Sequence, residues 1–337
     1  MKPLVSILIP AYNAERFISA TLESVLAQTW PRTEIIVVDD GSRDGTLAAA
    51  KQFEARGVKV VTQQNSGAAT ARNRAFELSQ GDFIQWLDAD DLLGRDKIAR
   101  QMAVVEGCPD KMVLFSSEWG RFLHRPSHAH FEQTALCADQ PAVEWLLNKL
   151  GKNLHMQPAT WLVSRELTLA AGPWDARLTL DDDGEYFCRV ILASHGIKFV
   201  AGARMYYRHT SSGSLSAVDR SDKKLESLWL SMQAHVRYLR GLEDSARTRM
   251  ACVTYLGNWL GHFEPARPDI VAGAQKLAQS LGGKIELPRV RTKYMPVENF
   301  FGRRAALRAQ VFAPNLKMAA LRAWDKTMLH LGGGGEI

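Results

Sequence analysis

The first 90 residues alternate between short apolar runs and segments with the residue spacing of helices, and this alternation restricts the fold more than any other feature. Short runs that are apolar throughout are typical of strands buried on both faces of a parallel sheet. Such runs predict strands at residues 5–10, 34–39, 58–62 and 83–87. Because helical segments separate them, we predict an α/β fold with a doubly wound, mostly parallel sheet and helices on both faces. Asn13 is expected to cap the first helix.

After residue 93 the alternation is less regular. Further helices are expected at residues 96–106 and 141–149, and further strands at residues 112–116, 159–163, 198–200 and 204–207. From about residue 223 apolar residues recur at helical spacing, which predicts a helical region. We therefore divide the chain into an α/β domain over residues 1–219 and a mainly helical region over residues 220–337.

The composition, 46% hydrophobic and 23% charged, is that of a folded globular protein. Four cysteines without close pairing exclude a disulfide scaffold and a zinc ribbon, and they indicate free thiols in a reducing compartment. The amino terminus enters the first strand without the apolar stretch of a signal peptide, and no apolar run reaches the ~18 residues that span a bilayer. We expect a cytoplasmic protein.

Positive charge is concentrated in the tail. Residues 220–337 carry 19 Lys and Arg against 10 Asp and Glu, within a net charge of +6 for the whole chain. Residues 300–331 have the pattern of two basic amphipathic helices. Such helices either lie on an anionic membrane or pack on the α/β domain with their charges in solvent. In the first case we expect contact with the inner face of the membrane. The sequence favours neither alternative, and we expect no nucleic-acid partner.

Polar clusters follow each of the four predicted strands, at the edge where doubly wound sheets bind ligands. These clusters occupy residues 10–13, 39–42, 65–67 with 72–73, and 88–91. Tyr12 offers a flat apolar face for a nucleotide base, and Asp40 can accept a hydrogen bond from a base N–H. Asp88 and Asp90 can hold a hard divalent cation, Mn²⁺ or Mg²⁺, that bridges phosphate oxygens. The sequence contains neither a GxGxxG motif after the first strand nor a P-loop, which argues against a dinucleotide site.

The chain resembles the inverting glycosyltransferases of family 2 in four segments, which occur in the order VSILIPAYN (5–13), EIIVVDDGSRD (34–44), NSGAATARN (65–73) and GDFIQWLDADD (81–91). The resemblance is strongest over roughly the first third of the chain and ends near residue 216. It implies the GT-A fold, with residues 1–219 as the catalytic domain. It also implies transfer of a sugar from a nucleotide sugar, here a UDP-sugar, to a hydroxyl of a saccharide or glycolipid in cell-envelope polysaccharide synthesis.

The resemblance also implies roles for individual residues. The positions that match nucleotide-binding residues of the family are Pro10, Tyr12, Asp39, Asp40, Asn65, Arg72, Asp88 and Arg208. The positions that match metal ligands, for Mn²⁺ or Mg²⁺, are Asp88, Asp90 and Asp91 of the DXD element and His209 of a later Tyr-Arg-His segment. The turn at residues 171–175 (AGPWD) resembles a family element near the acceptor.

The acids at residues 181–183 resemble the part of the family that supplies the general base. Asp182 and Asp183 match a Glu-Asp pair whose second acid deprotonates the acceptor hydroxyl, with Asp182 in place of the usual Glu. Asp181 directly precedes the pair, so Asp181 and Asp182 stay open as alternatives. If the segment is helical, neighbouring residues point about 100° apart and only one acid can face the substrate. Tyr186 and Arg189 set a register that favours Asp183.

Three functions are consistent with these residues, and an inverting, metal-dependent glycosyltransferase is the leading hypothesis. A sugar nucleotidyltransferase also uses a doubly wound sheet and Mg²⁺. It would need a basic, glycine-rich loop where this chain has PAYN at residues 10–13. A non-catalytic nucleotide-sugar-binding module would not require the acids Asp88, Asp90 and Asp183, which are all present.

Overall fold

The computed structural model describes residues 2–209, 221–264, 266–287, 292–302 and 306. Its strands are β1 (Val5–Ala11), β2 (Thr33–Asp39), β3 (Val58–Thr62), β4 (Phe83–Trp86), β5 (Leu92–Leu93), β6 (Val113–Phe122), β7 (His130–Phe131), β8 (Val163–Ser164) and β9 (Gly196–Arg208). Its helices are α1 (Ile18–Leu26), α2 (Thr46–Lys51), α3 (Ala68–Glu77), α4 (Lys97–Glu106), α5 (Ala142–Gly151), α6 (Arg165–Ala171), α7 (Asp182–Ala193), α8 (Asp222–Leu242), α9 (Ala246–Trp259) and α10 (Pro268–Ser280). Short 3₁₀ turns lie at Glu54–Arg56, Pro126–His128, Pro158–Thr160, Leu260–His262 and Thr292–Tyr294.

The main sheet has the strand order β3-β2-β1-β4-β8. Strands β1 to β4 are parallel, with Val5 opposite both Thr33 of β2 and Phe83 of β4, whereas β8 is antiparallel to β4 at the edge. The carboxyl ends of the parallel strands therefore share one edge, where Ala11 lies opposite Asp39. This confirms the doubly wound, mostly parallel sheet predicted from the sequence.

Helices cover both faces of the main sheet because its strands are apolar on both faces. Ile7 and Ile9 of β1 pack in one core with Ile18 of α1. Leu8 packs in the other core with Ala71 of α3. Successive residues of a strand point to opposite faces, so one continuous apolar run supplies both cores.

A second sheet has the order β5-β9-β6-β7. Strands β6 and β9 pair in parallel, from Val113 opposite Gly196 to Phe122 opposite Arg208. Strand β5 directly follows residues 88–91 and pairs antiparallel with the last part of β9. This pairing brings Arg208 beside the loop that follows β4.

Two strand predictions differ from the structure. Residues 198–200 and 204–207 belong to one strand, β9, whose pairing with β6 shifts register between them. Gly202 lies in this bulge with a left-handed φ of 77°, and its N–H donates to the Glu118 carboxylate at 3.2 Å. The bulge interrupts the alternation on which a strand prediction relies. Residues 159–163 form the end of a 3₁₀ turn and the start of β8, and they are apolar because the core buries them.

Helices α8, α9 and α10 lie in the predicted helical region, in which residues 295–302 are also helical. The apolar face of α8 is buried as predicted, with Leu225, Met232 and Leu239 fully enclosed. These residues share a core with Trp145 of α5 and Phe187 of α7. Within the described residues, no helix is both long and apolar enough to cross a membrane. The four cysteines are unpaired.

Two predictions fall on residues that the structure does not describe. The boundary between residues 1–219 and 220–337 lies within residues 210–220, so the division stays a prediction. Of the basic amphipathic segment at residues 300–331, only residues 300–302 and 306 are described.

Candidate active site

Asp40 ties the loop after β2 to the loop between β3 and α3. Its carboxylate accepts the backbone N–H groups of Ser66 and Gly67 and the Nε2 of Gln63, each at 2.8 Å. The Asn65 side chain donates to the Asp40 carbonyl oxygen at 3.0 Å. Asp40 is buried, and a buried carboxylate requires such partners. Asp40 and Asn65 thus fix the loop that leads into α3.

Asp39, the neighbour of Asp40, has a carboxylate oxygen that the protein leaves unmatched. Its Oδ2 accepts the Ser42 N–H at 3.3 Å and the Thr62 hydroxyl at 3.0 Å. Its Oδ1 is buried and has no hydrogen-bond partner among the described residues. Pro10 and Tyr12 lie at the end of the adjacent strand β1, and Tyr12 is 44% exposed. An unmatched acceptor and an exposed ring are two features that a nucleotide base can use.

Three aspartates in residues 88–91, here called the aspartate loop, follow β4 at the same edge of the sheet. Asp91 is buried, and its carboxylate accepts the Arg208 N–H at 2.8 Å. The Arg208 Nε donates to the Asp90 carbonyl oxygen at 2.8 Å. The His209 N–H donates to the carbonyl oxygen of the last β6 residue at 2.8 Å. The structure therefore brings Arg208 to the aspartate loop, with His209 as the next residue along the chain.

Negative charge accumulates in the aspartate loop. Burial, together with the charge of Asp88, raises the pKa of Asp90 to about 6. Burial and the neighbouring carboxylates also raise the pKa of Asp91. In the described part of the chain, no group of three or more His, Cys, Asp or Glu side chains is placed to hold a metal ion. The loop is a site where an added cation would relieve repulsion between carboxylates.

Arg72 of α3 joins the aspartate loop to residues 181–183, here called the acid triplet. Its Nη2 donates to Asp88 at 2.8 Å, and its Nη1 donates to Asp182 at 2.6 Å. Burial disfavours the charge of this arginine, but the carboxylates of Asp182 and Asp88 outweigh burial and raise the pKa of Arg72. Two acid clusters that are distant in the sequence are thereby held in one site.

Aromatic side chains hold Arg72 in place. Its Cζ lies 4.4 Å from the ring centroid of Trp174, and Trp174 stacks on Tyr186 with 3.9 Å between ring centroids. Asn73 donates to the Trp174 carbonyl oxygen at 2.9 Å and accepts the Trp174 N–H at 2.8 Å. Trp174 is buried. The turn at residues 171–175 therefore supports the arginine from within the core.

The acids of the triplet differ in their partners. Asp181 precedes α7 with a left-handed φ of 59°, and its carboxylate accepts the hydroxyl of Ser231 from α8. This side chain folds over Gly184, where a Cβ would lie 2.1 Å from the Asp181 Oδ1, so a larger residue there would displace the Asp181 carboxylate. Asp182 is bound by Arg72. The carboxylate of Asp183 forms no hydrogen bond or ion pair with the residues that the structure describes.

Asp183 is thus the acid of the triplet with a free carboxylate. Burial raises its pKa, the charge of Asp181 raises it further, and the charge of Arg72 opposes both. A raised pKa makes a carboxylate a stronger base. Asp183 lines a small cavity together with Lys149 of α5 and several aromatic residues. The sequence predicted Asp183 but not Lys149, because a lysine near the end of a helix is ordinarily a surface residue.

The model of glycosyl transferase family 2 matches residues 6–128, which include β1 to β4, Arg72 and the aspartate loop. Residues 6–128 belong to glycosyl transferase family 2. This family 2 segment contains the predicted nucleotide-binding positions up to Asp88. The acid triplet, Arg208 and His209 lie beyond it, so the structure alone brings them to the same site.

Curated relatives share part of the sequence. TuaG of Bacillus subtilis (strain 168), a proposed teichuronic acid biosynthesis glycosyltransferase, is 45% identical over 142 residues, which are 39% of this chain and 56% of TuaG. WfgD of Escherichia coli, named as a UDP-Glc:alpha-D-GlcNAc-diphosphoundecaprenol beta-1,3-glucosyltransferase, is 42% identical over 103 residues. These are 30% of this chain and 41% of WfgD. The chain thus spans about half the length of these relatives, or less.

Solved structures share the fold over a longer stretch. The crystal structure of S. aureus TarS 1–349 in complex with UDP-GlcNAc has a TM-score of 0.61 and 17% identity, and the match covers 82% of this chain and 89% of that chain. The complex of TarS 1–349 with UDP has the same TM-score and identity, and the match covers 92% of both chains. At this identity the likeness establishes the fold alone, and the shared fold extends well beyond the family 2 segment.

Proposed function

We propose that this protein is an inverting, metal-dependent glycosyltransferase that moves a sugar from a UDP-sugar to a hydroxyl of a saccharide or glycolipid. The observation that carries the proposal is the pair of Arg72 ion pairs, to Asp88 on one side and to Asp182 on the other. The buried Arg72 cation joins the aspartate loop to the acid triplet. The carboxylates of the loop suit a metal-bound diphosphate, and those of the triplet suit an acceptor hydroxyl. The family 2 segment supports the same function.

The nucleotide base would bind between Tyr12 and Asp39. Uracil has one ring N–H, which would donate to the unmatched Oδ1 of Asp39. Both carboxylate oxygens of Asp40 already bind the loop that precedes α3, so Asp39 suits this role better than Asp40. UDP as the carrier is supported by the TarS complexes with UDP and UDP-GlcNAc and by the name of WfgD.

Asp88 and Asp90 would hold Mn²⁺ or Mg²⁺. Such a cation is commonly bound by one or two carboxylates and completes its shell with substrate phosphates and water. Burial and repulsion from Asp88 raise the pKa of Asp90, and a cation at this position would relieve that repulsion. When bound, the metal stabilises charge on the departing diphosphate. Asp91 and His209 are further candidate ligands, and Arg208 would supply a second positive charge near the phosphates.

Asp183 would act as the general base. It would take the proton of the acceptor hydroxyl while that oxygen attacks the anomeric carbon and the bond to the UDP oxygen breaks on the opposite face. The configuration at the anomeric carbon is inverted by this displacement. Asp181 and Asp182 are already bound by Ser231 and Arg72, which leaves Asp183 to receive the proton.

An assay of UDP release tests this function. Each UDP-sugar of a panel is incubated with Mn²⁺ and with or without a mixture of saccharide acceptors. We expect at least one UDP-sugar to release UDP faster with acceptor present. If the protein is instead a binding module, UDP-sugar should raise its unfolding temperature, and no UDP should be released. A nucleotidyltransferase would form UDP-sugar and pyrophosphate from UTP and a sugar phosphate, and either result would overturn the proposal.

The tail would place the enzyme at the inner face of a membrane, in cell-envelope polysaccharide synthesis. Phe300 and Phe301 are 83% and 77% exposed, and Arg303 and Arg304 follow them in the sequence. Exposed aromatic rings next to cations are typical of segments that bind anionic membrane surfaces. The printed names of WfgD, with its diphosphoundecaprenol acceptor, and of TuaG support a substrate of the envelope.

Sedimentation with vesicles tests the membrane contact. At low salt the full chain should co-sediment with phosphatidylglycerol vesicles and not with phosphatidylcholine vesicles. A double variant with Phe300→Ser and Phe301→Ser should bind more weakly. If the full chain stays in the supernatant with anionic vesicles at low salt, the membrane contact is wrong.

A further inference from the structure

Helix α8 has two buried serines on the side that packs against α7. Ser227 and Ser231 are four residues apart, so they lie on the same face of the helix, and they are 2% and 0% exposed. The other buried residues of α8 are mostly apolar, as is usual in a core. Buried hydroxyl groups normally have hydrogen-bond partners, and the partners of these two serines indicate their role.

Ser227 holds the backbone of the segment that leads into α7. Residues 172–181 are neither helix nor strand, so their backbone groups need other partners. The Ser227 hydroxyl oxygen accepts the N–H groups of Thr179 and Leu180 at 2.8 and 2.9 Å. The same hydroxyl donates to the Leu180 carbonyl oxygen at 2.8 Å. One side chain of α8 thus fixes two consecutive residues directly before the acid triplet.

Ser231 holds the first residue of the acid triplet. Its hydroxyl donates to the carboxylate of Asp181, whose carbonyl oxygen accepts the Glu185 N–H at 3.1 Å, the first helical hydrogen bond of α7. Further along α8, the Tyr238 hydroxyl donates to the Glu185 carboxylate at 2.7 Å. The contacts of α8 therefore determine where α7 begins.

The start of α7 in turn determines where Asp183 points. Asp183 lies in the first turn of the helix, two residues after Asp181 with its left-handed backbone. Its own carboxylate forms no hydrogen bond or ion pair with the residues that the structure describes, so the backbone alone sets its direction. Misplacement of a reacting group by about 1 Å can lower a rate about 10²-fold. A small shift of the first turn would therefore affect a base at this position.

We propose that Ser227 and Ser231 are positioning residues for the general base, and that α8 thereby forms part of the active site. This inference rests on the proposed glycosyltransferase function. Helix α8 lies outside the family 2 segment, and it begins after residue 216, where the sequence resemblance ends. The helical region then sets the geometry of the base, whereas the edge of the main sheet binds the donor.

Alanine substitutions in the full-length protein test this inference. Ser227→Ala and Ser231→Ala each remove hydrogen bonds to the segment before α7 and add no atoms. Each should lower the kcat of the folded protein about tenfold, because the base is displaced. The Kd for UDP-sugar, measured by calorimetric titration, should change less than about twofold, because the donor contacts the other cluster of acids.

Ser245→Ala is the matched control for a loss of stability. The Ser245 side chain caps α9 through a hydrogen bond with the Thr248 N–H, and its other side-chain partner is Glu243. Loss of such a cap destabilises a protein about as much as loss of one internal hydrogen bond. This variant should therefore show a lowered unfolding temperature and the kcat of the wild type.

Two substitutions of Asp181 separate the hydrogen bond from the charge. Both Asp181→Asn and Asp181→Ala remove the charge, but asparagine keeps an oxygen that can accept the Ser231 hydroxyl. The kcat of Asp181→Ala should be about tenfold below that of Asp181→Asn. Adding Ser231→Ala to Asp181→Ala should cause no further loss, because both substitutions remove the same hydrogen bond.

Three results would overturn the inference. The first is a folded Ser231→Ala protein with the kcat of the wild type. The second is a loss of donor affinity as large as the loss of kcat. The third is additive losses in the double variant of Ser231 and Asp181. The proposed function survives each of these results, because the wild type still transfers sugar. Absence of UDP release by the wild type with every acceptor would refute the proposed function itself.

Discussion

The aspartate loop and the acid triplet each contain three aspartates, but the two clusters differ in the partners that balance their negative charge. In the loop, burial and the charge of Asp88 raise the pKa of Asp90, and the positive charge of Arg208 offsets this rise only in part. In the triplet, Asp181 is bound by a serine hydroxyl and Asp182 by a buried arginine, which leaves Asp183 free. The loop suits a cation, and the triplet suits a single proton acceptor.

This difference teaches that the partners of an aspartate, and not its residue type, determine what it can do. Arg72 is the shared element, because it binds one acid of each cluster. Four substitutions test whether the two clusters have the distinct roles that this comparison assigns to them.

The largest effect is expected in the triplet. Asp183→Asn should bind UDP-sugar normally and lose about 10²–10⁴-fold in the transfer step, because the base contacts the acceptor and not the nucleotide. Asp181→Asn is the matched control and should remain active, since asparagine tolerates the left-handed backbone there. Calorimetric titration with UDP-sugar and single-turnover rates separate binding from chemistry. An active Asp183→Asn protein, or one that no longer binds donor, would move the base to Asp182 or Asp181.

The next largest effect is expected in the loop. Asp90→Asn preserves the size of the side chain but removes a charged metal ligand, and transfer should fall about 10²-fold. EDTA should inhibit the wild type similarly, and Mn²⁺ should restore it. Asp96→Asn is the control, because Asp96 forms an exposed ion pair with Arg100 away from the loop. Full activity of the wild type in EDTA would contradict the metal site.

Replacing the shared arginine should have an intermediate effect on both clusters. Lysine keeps the charge of Arg72 but cannot donate to Asp88 and Asp182 in the same fork geometry. Arg72→Lys should lower kcat/KM about tenfold, the equivalent of one hydrogen bond to a charged group. Arg74→Lys on the same helix is the control, since Arg74 forms an exposed ion pair with Glu77. Equal activity of the two variants would show that the clusters work without the bridge.

The smallest effect is a shift in pH dependence. Asp183 must be ionised to act as a base, so kcat/KM should fall as the pH drops through its raised pKa, above the value of ~4 usual for aspartate. After burial, the Asp181 carboxylate is the main cause of this raised pKa. Asp181→Asn removes that charge and should move the acid limb of the profile of kcat/KM against pH to lower pH. If the acid limb stays in place, the acids of the triplet are not electrostatically linked to the group that titrates.

The sequence was sufficient to predict β1 to β4 and the apolar face of α8, because alternation and helical spacing record which residues face a core. It failed where partners are distant in the chain. Asn13 does not cap α1, which begins at Ile18 without a side-chain cap. Instead Asn13 has a φ of 50°, and its Oδ1 accepts the Arg43 N–H at 2.9 Å.

The candidate site shows the same limit. Residue types at strand ends were enough to select Asp39, Asp88 and Asp183 as candidates. Their partners could not be predicted, because Arg72 and Asp182 are 110 residues apart in the chain. No sequence pattern indicated Lys149, because only the packing of α5 against α7 places it beside Asp183.

The pairing of β6 with β9 has a consequence for how such enzymes can be recombined. The family 2 segment ends at residue 128, just after β6, whereas β9 begins at Gly196. Every residue of β6 is opposite a residue of β9. A chimera that exchanged residues 6–128 alone would bring in a strand matched to a foreign partner, and the same fragment produced alone would expose that strand as an open edge prone to aggregation. The unit that can be exchanged between relatives is therefore longer than the unit that they visibly share.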